Sequence, residues 1–405
     1  MSQIEIVPDG TVTSPKGFTA GATFAGIKKP GEDVLDLSMI YSQEPCNAAA
    51  VFTTNKIKSA AVVVNLQHFQ KHNRVFAVIA NSGCANSSTG KQGLKDAVET
   101  TELVAKALGI EADEVAVAST GVIGVPLPMD AMRKGVQQII LTAAGGHDFE
   151  RAIMTTDTKP KEIAVKVNFE GGSFMIGGVA KGSGMIHPNM ATMLCFITTD
   201  AAVSVDYLNQ SLREAVAISF NMISVDGDTS PSDTVLLMAN GQAKNKTITD
   251  SSMLSNIFQR ALNQVCVHLA KSVARDGEGA TKLIEVRVKG AKNITEARRA
   301  VRTIVSSNLV KSAVYGCDPN WGRVTAALGR SEVDIIETKL DVIMAGIFTL
   351  KDGTPVNFDK KTATDALKTN EVVIEVDLHL GPAEATAWGC DLTEQYVVIN
   401  SQYTT

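Results

Sequence analysis

The sequence lacks any long basic run and any long apolar run. Its 405 residues include 38 Lys and Arg against 43 Asp and Glu, a formal net charge of −5 at pH 7. No concentration of positive charge of the kind that binds nucleic acid or anionic lipid is therefore present. No stretch reaches the roughly 18 consecutive apolar residues that a membrane helix needs, and the first five residues carry an acid and no apolar run. We expect a cytoplasmic protein that binds neither nucleic acid nor membrane.

Cysteine is scarce and widely spaced, which argues against a structural zinc site. The six cysteines lie at least 38 residues apart, whereas zinc sites use close pairs. His68 and His72 are four residues apart and could share a helix face, but no carboxylate third ligand is nearby and a solvated face explains them better. We expect no metal. The thiols predicted to be reduced are Cys46, Cys84, Cys195, Cys266, Cys317 and Cys390.

Three ligand-binding signatures are incomplete. The segment 226–233 begins like a calcium loop, but Pro231 stands where that loop needs glycine and Leu237 where it needs glutamate, so a structured acidic turn is expected. The segment 177–183 has the outer glycine spacing of a phosphate loop but lacks its lysine. The segment 277–279 lacks the third glycine of a dinucleotide fingerprint. None of the three predicts a nucleotide-binding fold.

Hydrophobic periodicity predicts an α+β protein with antiparallel or mixed sheets and helices packed outside them. The length exceeds one ordinary core, so two domains or two half-units are expected. Helical and alternating patterns occur without strict βαβ repetition. The predicted helices cover residues 92–108, 129–143, 205–220, 251–274 and 294–309, and the predicted strands cover 115–118, 161–169, 174–179, 283–288, 372–380 and 396–399.

One segment has the layout of a chain that cuts itself. Residues 181–200 begin with a glycine-rich, proline-containing loop and continue into an apolar β-like run that starts at Thr192 and follows the small Ala191. If Thr192 attacked the Ala191 carbonyl, the released α-amine, with an ordinary pKa of about 8, could serve as the base for its own hydroxyl. From these residues alone, an ordinary loop that enters a buried strand is the favoured interpretation.

A second segment contains a sharp turn of small residues. The predicted strand 115–118 is followed by the turn 119–124, in which Thr120 and Gly121 could present a hydroxyl and a backbone N–H in the same direction. An oxyanion hole needs two such donors. Taken alone, these residues favour a simple strand-ending turn.

Taken together, the motifs resemble the ornithine acetyltransferase family of arginine biosynthesis, also called bifunctional glutamate N-acetyltransferase. The resemblance covers essentially the whole chain. Pro231 is one departure, at a position where threonine or a similar residue is expected, and it affects no catalytic role. The motifs that carry the resemblance are Gly17-Phe18, 80–86, 119–124, 154–157, 181–200, 225–229, 274–282, 316–323, Tyr396, Val397, Asn400 and 403–405.

The resemblance implies a layered αββα-type sandwich that cleaves itself between Ala191 and Thr192. Residues 1–191 would form an α chain and residues 192–405 a β chain, which together make one compact catalytic body and assemble as an α2β2 heterotetramer. The implied reaction moves an acetyl group from N2-acetyl-L-ornithine to L-glutamate through an acetyl ester on Thr192, giving L-ornithine and N-acetyl-L-glutamate. No cofactor is implied. Whether acetyl-CoA also serves as donor is left open.

The same resemblance assigns residue roles. Thr192 is the nucleophile, Thr120 and Gly121 form the oxyanion hole, and the substrate pocket is lined by Thr155, Lys181, Thr192, Glu278, Asn400 and Thr405. These roles suit zwitterionic substrates, because Lys181 offers a positive charge from a glycine-flexible loop and Glu278 a negative charge where a long helix ends. We further expect the strand 396–399 to fix Asn400 while Thr405 reaches over the pocket.

Two other functions compete with this prediction. An N-terminal nucleophile aminopeptidase or amidohydrolase of the same fold would pass the acyl group to water, and sequence alone cannot show the pocket closure that favours transfer. An uncut, catalytically silent binding protein would give one band in denaturing electrophoresis. The presence of Thr192, Thr120 and Gly121 together argues against that silent protein.

Overall fold

Strands of two sheets make up much of the protein. The computed structural model describes residues 3–28, 34–187 and 193–402. Within these ranges the strands are β1 (Gln3–Val7), β2 (Phe18–Thr23), β3 (Leu37–Phe52), β4 (Arg74–Asn81), β5 (Val115–Ser119), β6 (Glu162–Phe169), β7 (Gly172–Lys181), β8 (Leu194–Thr199), β9 (Ile223–Ser224), β10 (Thr234–Ala239), β11 (Leu283–Ala291), β12 (Asp341–Met344), β13 (Ile347–Lys351), β14 (Thr354–Pro355), β15 (Glu371–Asp377) and β16 (Ala383–Cys390).

The helices begin and end at residues suited to those positions. The Ser204 side chain accepts a hydrogen bond from the amide of Tyr207, and Asn293 does the same for Glu296, which satisfies otherwise free amides of the first turn. Gly109 ends another helix at φ 71°, a conformation that glycine adopts readily. The helices are α1 (Ala60–Lys71), α2 (Gly90–Leu108), α3 (Met129–Gln138), α4 (Gly146–Ile153), α5 (Val205–Ala217), α6 (Ser255–Arg275), α7 (Ile294–Val305), α8 (Asn308–Tyr315), α9 (Trp321–Gly329), α10 (Lys360–Ala366) and α11 (Glu394–Gln402).

The larger sheet folds over on itself. Its strands follow the order β1-β6-β7-β8-β10-β3-β4-β5, with β2 also paired to β3. Strand β3 is 16 residues long, and its pairing with β4 shifts register between Tyr41 and Cys46. One core cluster contains residues of β4 and β5, such as Val78, together with residues of β7, β8 and β10, such as Phe196. The two halves of the sheet therefore pack face to face.

Helices cover both outer faces of this sandwich. Helices α1, α2 and α3 pack on the half that contains β4 and β5, with Val64, Val104 and Met132 in one core cluster. Helices α5 and α6 cover the other half, where Phe258 and Val265 join a second cluster. The predicted α+β class and its αββα layering are confirmed.

The second sheet extends the core behind α6. Its order is β14-β13-β12-β15-β11-β16-β9, and it is mixed, because β11 pairs parallel to β15 and antiparallel to β16. Its inward residues share one cluster with α6 and α7. Among the residues described, no helix combines the length and apolar character needed to cross a bilayer.

Most predicted elements lie where periodicity placed them, but their ends differ. The helix predicted over 129–143 ends at Gln138, because Thr142 then forms a bridge to Ala20. The helix predicted over 294–309 is two helices, since α7 ends at Val305 and α8 begins at Asn308. Tertiary contacts thus set ends that the hydrophobic repeat leaves undefined.

The strand predicted over 396–399 is wrong, because these residues belong to helix α11. Val397 and Val398 are exposed, so their β propensity is not reinforced by packing in a sheet. The start of the helix is fixed instead by the preceding Thr393, whose hydroxyl donates to the Gly279 carbonyl at 2.8 Å and accepts from the Gln395 amide at 3.2 Å. Asn400 is therefore positioned by a helix.

Candidate active site

A cavity of about 120 Å³ lies where the ends of β5 and β7 meet the loops after α4 and α6 and the exposed helix α11. Six of the residues to which the family resemblance assigns roles line it. Its lining also contains carboxylates and a phenol that sequence reasoning did not single out. The lining is Ala85, Thr120, Gly121, Ile123, Thr155, Thr156, Lys181, Gly184, Met185, Asp226, Asp228, Ser230, Pro231, Ser232, Glu278, Tyr396 and Asn400.

The turn after β5 presents Thr120 and Gly121 to this cavity. The Thr120 amide donates to the Asn81 carbonyl at 3.0 Å, which leaves its hydroxyl on the cavity side. Gly121 has a φ of 125°, and a Cβ there would lie 2.4 Å from the Gly83 carbonyl carbon, so no larger residue fits. The Gly121 amide makes no hydrogen bond with a described residue. The turn can therefore offer a hydroxyl and an amide to one acceptor oxygen.

Lys181 is the last residue of β7 and is 3% exposed. The prediction that it sits in a glycine-flexible loop is wrong, because it pairs with Leu194 of β8 in the sheet. Its ammonium donates to the Thr155 hydroxyl at 2.9 Å and to the Thr120 hydroxyl at 3.3 Å. Since a sheet strand holds its backbone, Lys181 delivers a fixed positive charge to the cavity.

Asp157 organises the charges behind Lys181. This fully buried carboxylate accepts the Gly182 amide at 2.6 Å and the Lys161 ammonium at 2.7 Å, and it lies 3.9 Å from the Lys181 ammonium. Burial alone would raise the pKa of Asp157, but the charges of Lys181 and Lys161 outweigh it and hold that pKa below its ordinary value. Burial lowers the pKa of Lys181, and Asp157 is the largest opposing influence. The pair remains ionised because each partner stabilises the other.

Glu278 stands in the loop after α6, as the sequence predicted. Its amide donates to the Ser183 carbonyl at 2.9 Å, and its side chain lies against Gly184, where a Cβ would come within 2.4 Å of the carboxyl carbon. Asn400 on α11 donates to Glu278 Oε2 at 2.7 Å. The structure thus brings together a carboxylate and an amide 122 residues apart, both facing the cavity.

Asp226 also lines the cavity. Its carboxylate accepts the amides of Met185 at 2.5 Å and Ile186 at 2.9 Å, so it fixes the segment that leaves β7. Tyr396 lies beside it, and burial followed by the charges of Asp226 and Glu278 raises the pKa of that phenol, which keeps it neutral. The cavity therefore presents one ammonium, three carboxylates and several neutral hydroxyls.

Three of the predicted site residues lie outside the described residues. These are Ala191 and Thr192, predicted to flank the cleaved bond, and Thr405, predicted to reach over the pocket. Their roles stay predictions. On the β8 side of the gap, the Met193 amide donates to Asp233 Oδ1 at 3.0 Å.

Sequence reasoning missed Asp226 and Tyr396, which line the cavity, and Asp157 and Asp233, whose charges act on Lys181. Asp157 and Tyr396 stood within motifs that the resemblance used, and Asp226 and Asp233 bounded the acidic turn. These residues can be recognised as functional only from their burial and their charged neighbours, and both depend on the tertiary structure. Within residues 3–28, 34–187 and 193–402, no group of three or more His, Cys, Asp or Glu side chains is arranged to hold a metal ion.

Sequence comparisons with known proteins extend over nearly the full length. The model of the ArgJ family matches residues 19–405. The arginine biosynthesis bifunctional protein ArgJ of Dehalococcoides mccartyi (strain CBDB1) is 51% identical over 408 residues, covering 100% of both chains. That of Symbiobacterium thermophilum is 52% identical over 398 residues, covering 98% of this chain and 99% of the relative. The crystal structure of the Bacillus halodurans protein of the same name has a TM-score of 0.50 and 45% identity, covering 51% of this chain and 97% of that chain.

Proposed function

This chain belongs to the ArgJ family, and we propose on that premise that it is the glutamate N-acetyltransferase of arginine biosynthesis. It moves the acetyl group of N2-acetyl-L-ornithine to L-glutamate. The observation that carries the proposal is the convergence of Thr120, Gly121, Thr155, Lys181, Glu278 and Asn400 on one cavity.

The proposed reaction proceeds through an ester. The Thr192 hydroxyl attacks the acetyl carbonyl carbon, and the oxygen that becomes negative is stabilised by the Thr120 hydroxyl and the Gly121 amide. The hydroxyl proton passes to the Thr192 α-amine and then to the ornithine nitrogen as the amide bond breaks. The glutamate amine next attacks the ester, and Thr192 regains its proton. The Lys181 ammonium can bind a substrate carboxylate, and Glu278 together with Asn400 can bind a substrate amine.

We propose that the nucleophile is released by cleavage between Ala191 and Thr192. This bond lies in the connection between Lys181 and Leu194, which stand opposite each other on the paired strands β7 and β8. Strands β8 and β10, which follow the bond, lie between β7 and β3, which precede it. This interleaving supports the proposal that the α chain (1–191) and β chain (192–405) stay together as one catalytic body.

Four finer statements belong to the same proposal. The chains assemble as an α2β2 heterotetramer, which light scattering would detect as about twice 42.9 kDa. The enzyme works in the cytoplasm, which six unpaired cysteines support. The transfer needs no metal or redox cofactor, because the ester chemistry uses side chains and one backbone amide only. Thr405 contributes to substrate binding.

Mass spectrometry and a labelled substrate test the proposal. Purified protein should consist of fragments of about 20 and 23 kDa, in proportion to their lengths, with the larger one beginning at Thr192. Thr192→Ala should remain a single, folded chain. Incubation with acetyl-labelled N2-acetylornithine and glutamate should yield labelled N-acetylglutamate. Labelled acetate in place of N-acetylglutamate would establish that the protein is a hydrolase. An uncut and inactive wild-type protein would refute the proposal that it is an enzyme.

A matched assay settles the choice of donor. Acetyl-labelled acetyl-CoA replaces N2-acetylornithine, with glutamate and enzyme unchanged. Labelled N-acetylglutamate from this reaction would establish a second donor, and product from acetylornithine alone would establish a single one. Because the acetyl group rests on Thr192 before the acceptor arrives, initial rates should follow ping-pong kinetics.

A further inference from the structure

The buried ammonium of Lys161 joins the two loops that carry the charged groups of the cavity. Lys161 stands directly before β6, and its side chain is 1% exposed. Its ammonium donates to Asp157 Oδ1 at 2.7 Å, to Asp276 Oδ2 at 2.7 Å and to the Lys159 carbonyl at 3.2 Å. An ammonium has three N–H donors, so all of them are used. Lys161 is not among the described residues that line the cavity, so it acts through its two carboxylate partners.

Each of these carboxylates controls one charged end of the cavity. Asp157 lies 3.9 Å from the Lys181 ammonium, which is the positive end. Asp276 directly follows α6 and stands two residues before Glu278, which lies at a negative end. Lys161 therefore links the positive end of the cavity to the loop that holds Glu278.

A backbone hydrogen bond ties the same two regions at a second point. The Glu278 amide donates to the Ser183 carbonyl at 2.9 Å, two residues after Lys181. A loop held at one point can pivot about it, whereas two points of attachment fix its direction. The second attachment is the Asp276 carboxylate, which also accepts the amide of Thr158 at 2.9 Å and its hydroxyl. The separation between Lys181 and Glu278 therefore depends on the ion pair as well as on the backbone.

The pair of Lys161 and Asp276 is suited to fixing a distance. Their side chains are 1% and 8% exposed, and the desolvation of two such charges offsets much of their attraction, so the pair adds little net stability. Burial alone would lower the pKa of Lys161, but the charges of Asp157 and Asp276 outweigh it and raise that pKa. The ammonium thus stays ionised, and its charge-assisted hydrogen bonds hold both carboxylates at a short, fixed distance.

We propose that Lys161 and Asp276 form a positioning pair that sets the separation between Lys181 and Glu278, and that this separation selects the donor by its length. The inference rests on the proposed function, in which Lys181 binds the carboxylate of N2-acetylornithine and Glu278 binds its side-chain amine. A donor with one methylene more or less cannot bring both of its charges into contact. A mismatch of one methylene typically changes kcat/KM by about 10- to 200-fold.

Asp276→Asn tests the inference through the chain length of the donor. Asparagine keeps an acceptor for Thr158 but loses the charge that holds Lys161. Three donors are compared with glutamate as acceptor: N2-acetylornithine, N2-acetyllysine, which is one methylene longer, and N2-acetyldiaminobutyrate, which is one methylene shorter. In D276N the ratio of kcat/KM for acetylornithine to that for either other donor should fall about tenfold. Lower stability alone would reduce kcat/KM for all three donors in the same proportion.

Glu285→Gln is the matched control, because it breaks another ion pair made by α6. The Glu285 carboxylate accepts the Lys271 ammonium of α6 at 3.1 Å and the Trp388 indole N–H at 2.8 Å. Glu285 is not among the described residues that line the cavity. E285Q should therefore keep the wild-type ratios. The same loss of selectivity in E285Q would overturn the inference, since a general loosening of α6 would then explain both variants.

Each other outcome is decisive. Wild-type ratios in D276N, or a folded D276N that transfers from none of the donors, would overturn the positioning role. The proposed function would stand, because wild-type transfer from acetylornithine is measured alongside. A wild type that uses all three donors equally would also overturn only the inference, and a wild type that transfers no acetyl group would overturn both.

If D276N does not fold, Asp276→Glu replaces it. The longer side chain keeps the charge that pairs with Lys161 but displaces the loop by one methylene. The ratios of kcat/KM should therefore still change several-fold, and unchanged ratios would refute the inference.

Discussion

Asn400 Nδ2 donates a 2.7 Å hydrogen bond to Glu278 Oε2 and ties helix α11 to the loop after α6. Asn400→Asp would place a second carboxylate against Glu278, and Asn400→Ala would remove the donor. Both should raise KM for N2-acetylornithine about tenfold or more, and the Asp variant should be worse because like charges repel. Steady-state kinetics would measure this. Val397→Ala, at a 64% exposed position of the same helix, should behave as wild type.

The turn at Gly121 provides a second test. Gly121→Ala would place a Cβ against the Gly83 backbone at a φ of 125°, so the turn must shift. The backbone amide of residue 121 would then point in a different direction. We expect acetyl transfer to fall about 100-fold, the usual loss for one oxyanion donor. The control is Gly124→Ala, where φ is 84° but no atom lies within 4 Å of the added Cβ. Equal losses in the two variants would show that strain alone matters.

Asp157 should control both stability and substrate binding. Asp157→Asn leaves Lys181 without its main buried counter-charge, which should cost about 3–5 kcal/mol in free energy of unfolding. The Lys181 ammonium would then lose its proton more easily, so KM for glutamate should rise. Urea unfolding and kinetics would measure the two effects. Asp113→Asn, which breaks a surface pair with Lys71, should cost about 1 kcal/mol or less. Indistinguishable stabilities of the two variants would contradict this network.

Glu150 should make stability depend on pH. It is fully buried, Oε1 accepts the Lys161 amide at 2.9 Å, Oε2 has no partner among the described residues, and burial raises its pKa to about 8. In the unfolded chain the Glu150 carboxyl loses its proton near pH 4.3. The stabilisation that the neutral, buried Glu150 gives to the folded protein is therefore complete below that pH and is lost as the pH rises toward 8. Glu150→Gln avoids this loss.

Relative to wild type, the free energy of unfolding of Glu150→Gln should therefore increase by about 3 kcal/mol between pH 5 and pH 8. Urea unfolding at both values would measure it, with both proteins in a Thr192→Ala background so that each unfolds as one chain. Parallel stability curves for the two proteins would mean that Glu150 is already ionised at pH 5.

The sequence was sufficient for the fold class and for residues that belong to motifs. Long amphipathic repeats such as that of α6 are strong signals because the same face is buried along 21 residues. Segment 396–399 misled because β-branched residues favour strands only where a sheet packs them, and Val397 faces solvent. Asp157 and Asp233 could not be recognised as site residues, since their importance depends on burial beside Lys181, which stands 24 and 52 residues away along the chain.

The place of β8 and β10 within the larger sheet also determines how the protein recovers from unfolding. The segment after residue 192 supplies two central strands, flanked on both sides by strands of the preceding segment. In the cleaved enzyme, complete unfolding releases two separate polypeptides, and refolding becomes a bimolecular reaction that must reinsert those strands between their neighbours. Its rate, and the midpoint of any reversible transition, should depend on protein concentration. Uncut Thr192→Ala should refold at a rate independent of concentration. Cleavage at the proposed bond would thus make recovery from denaturation hardest when the enzyme is dilute.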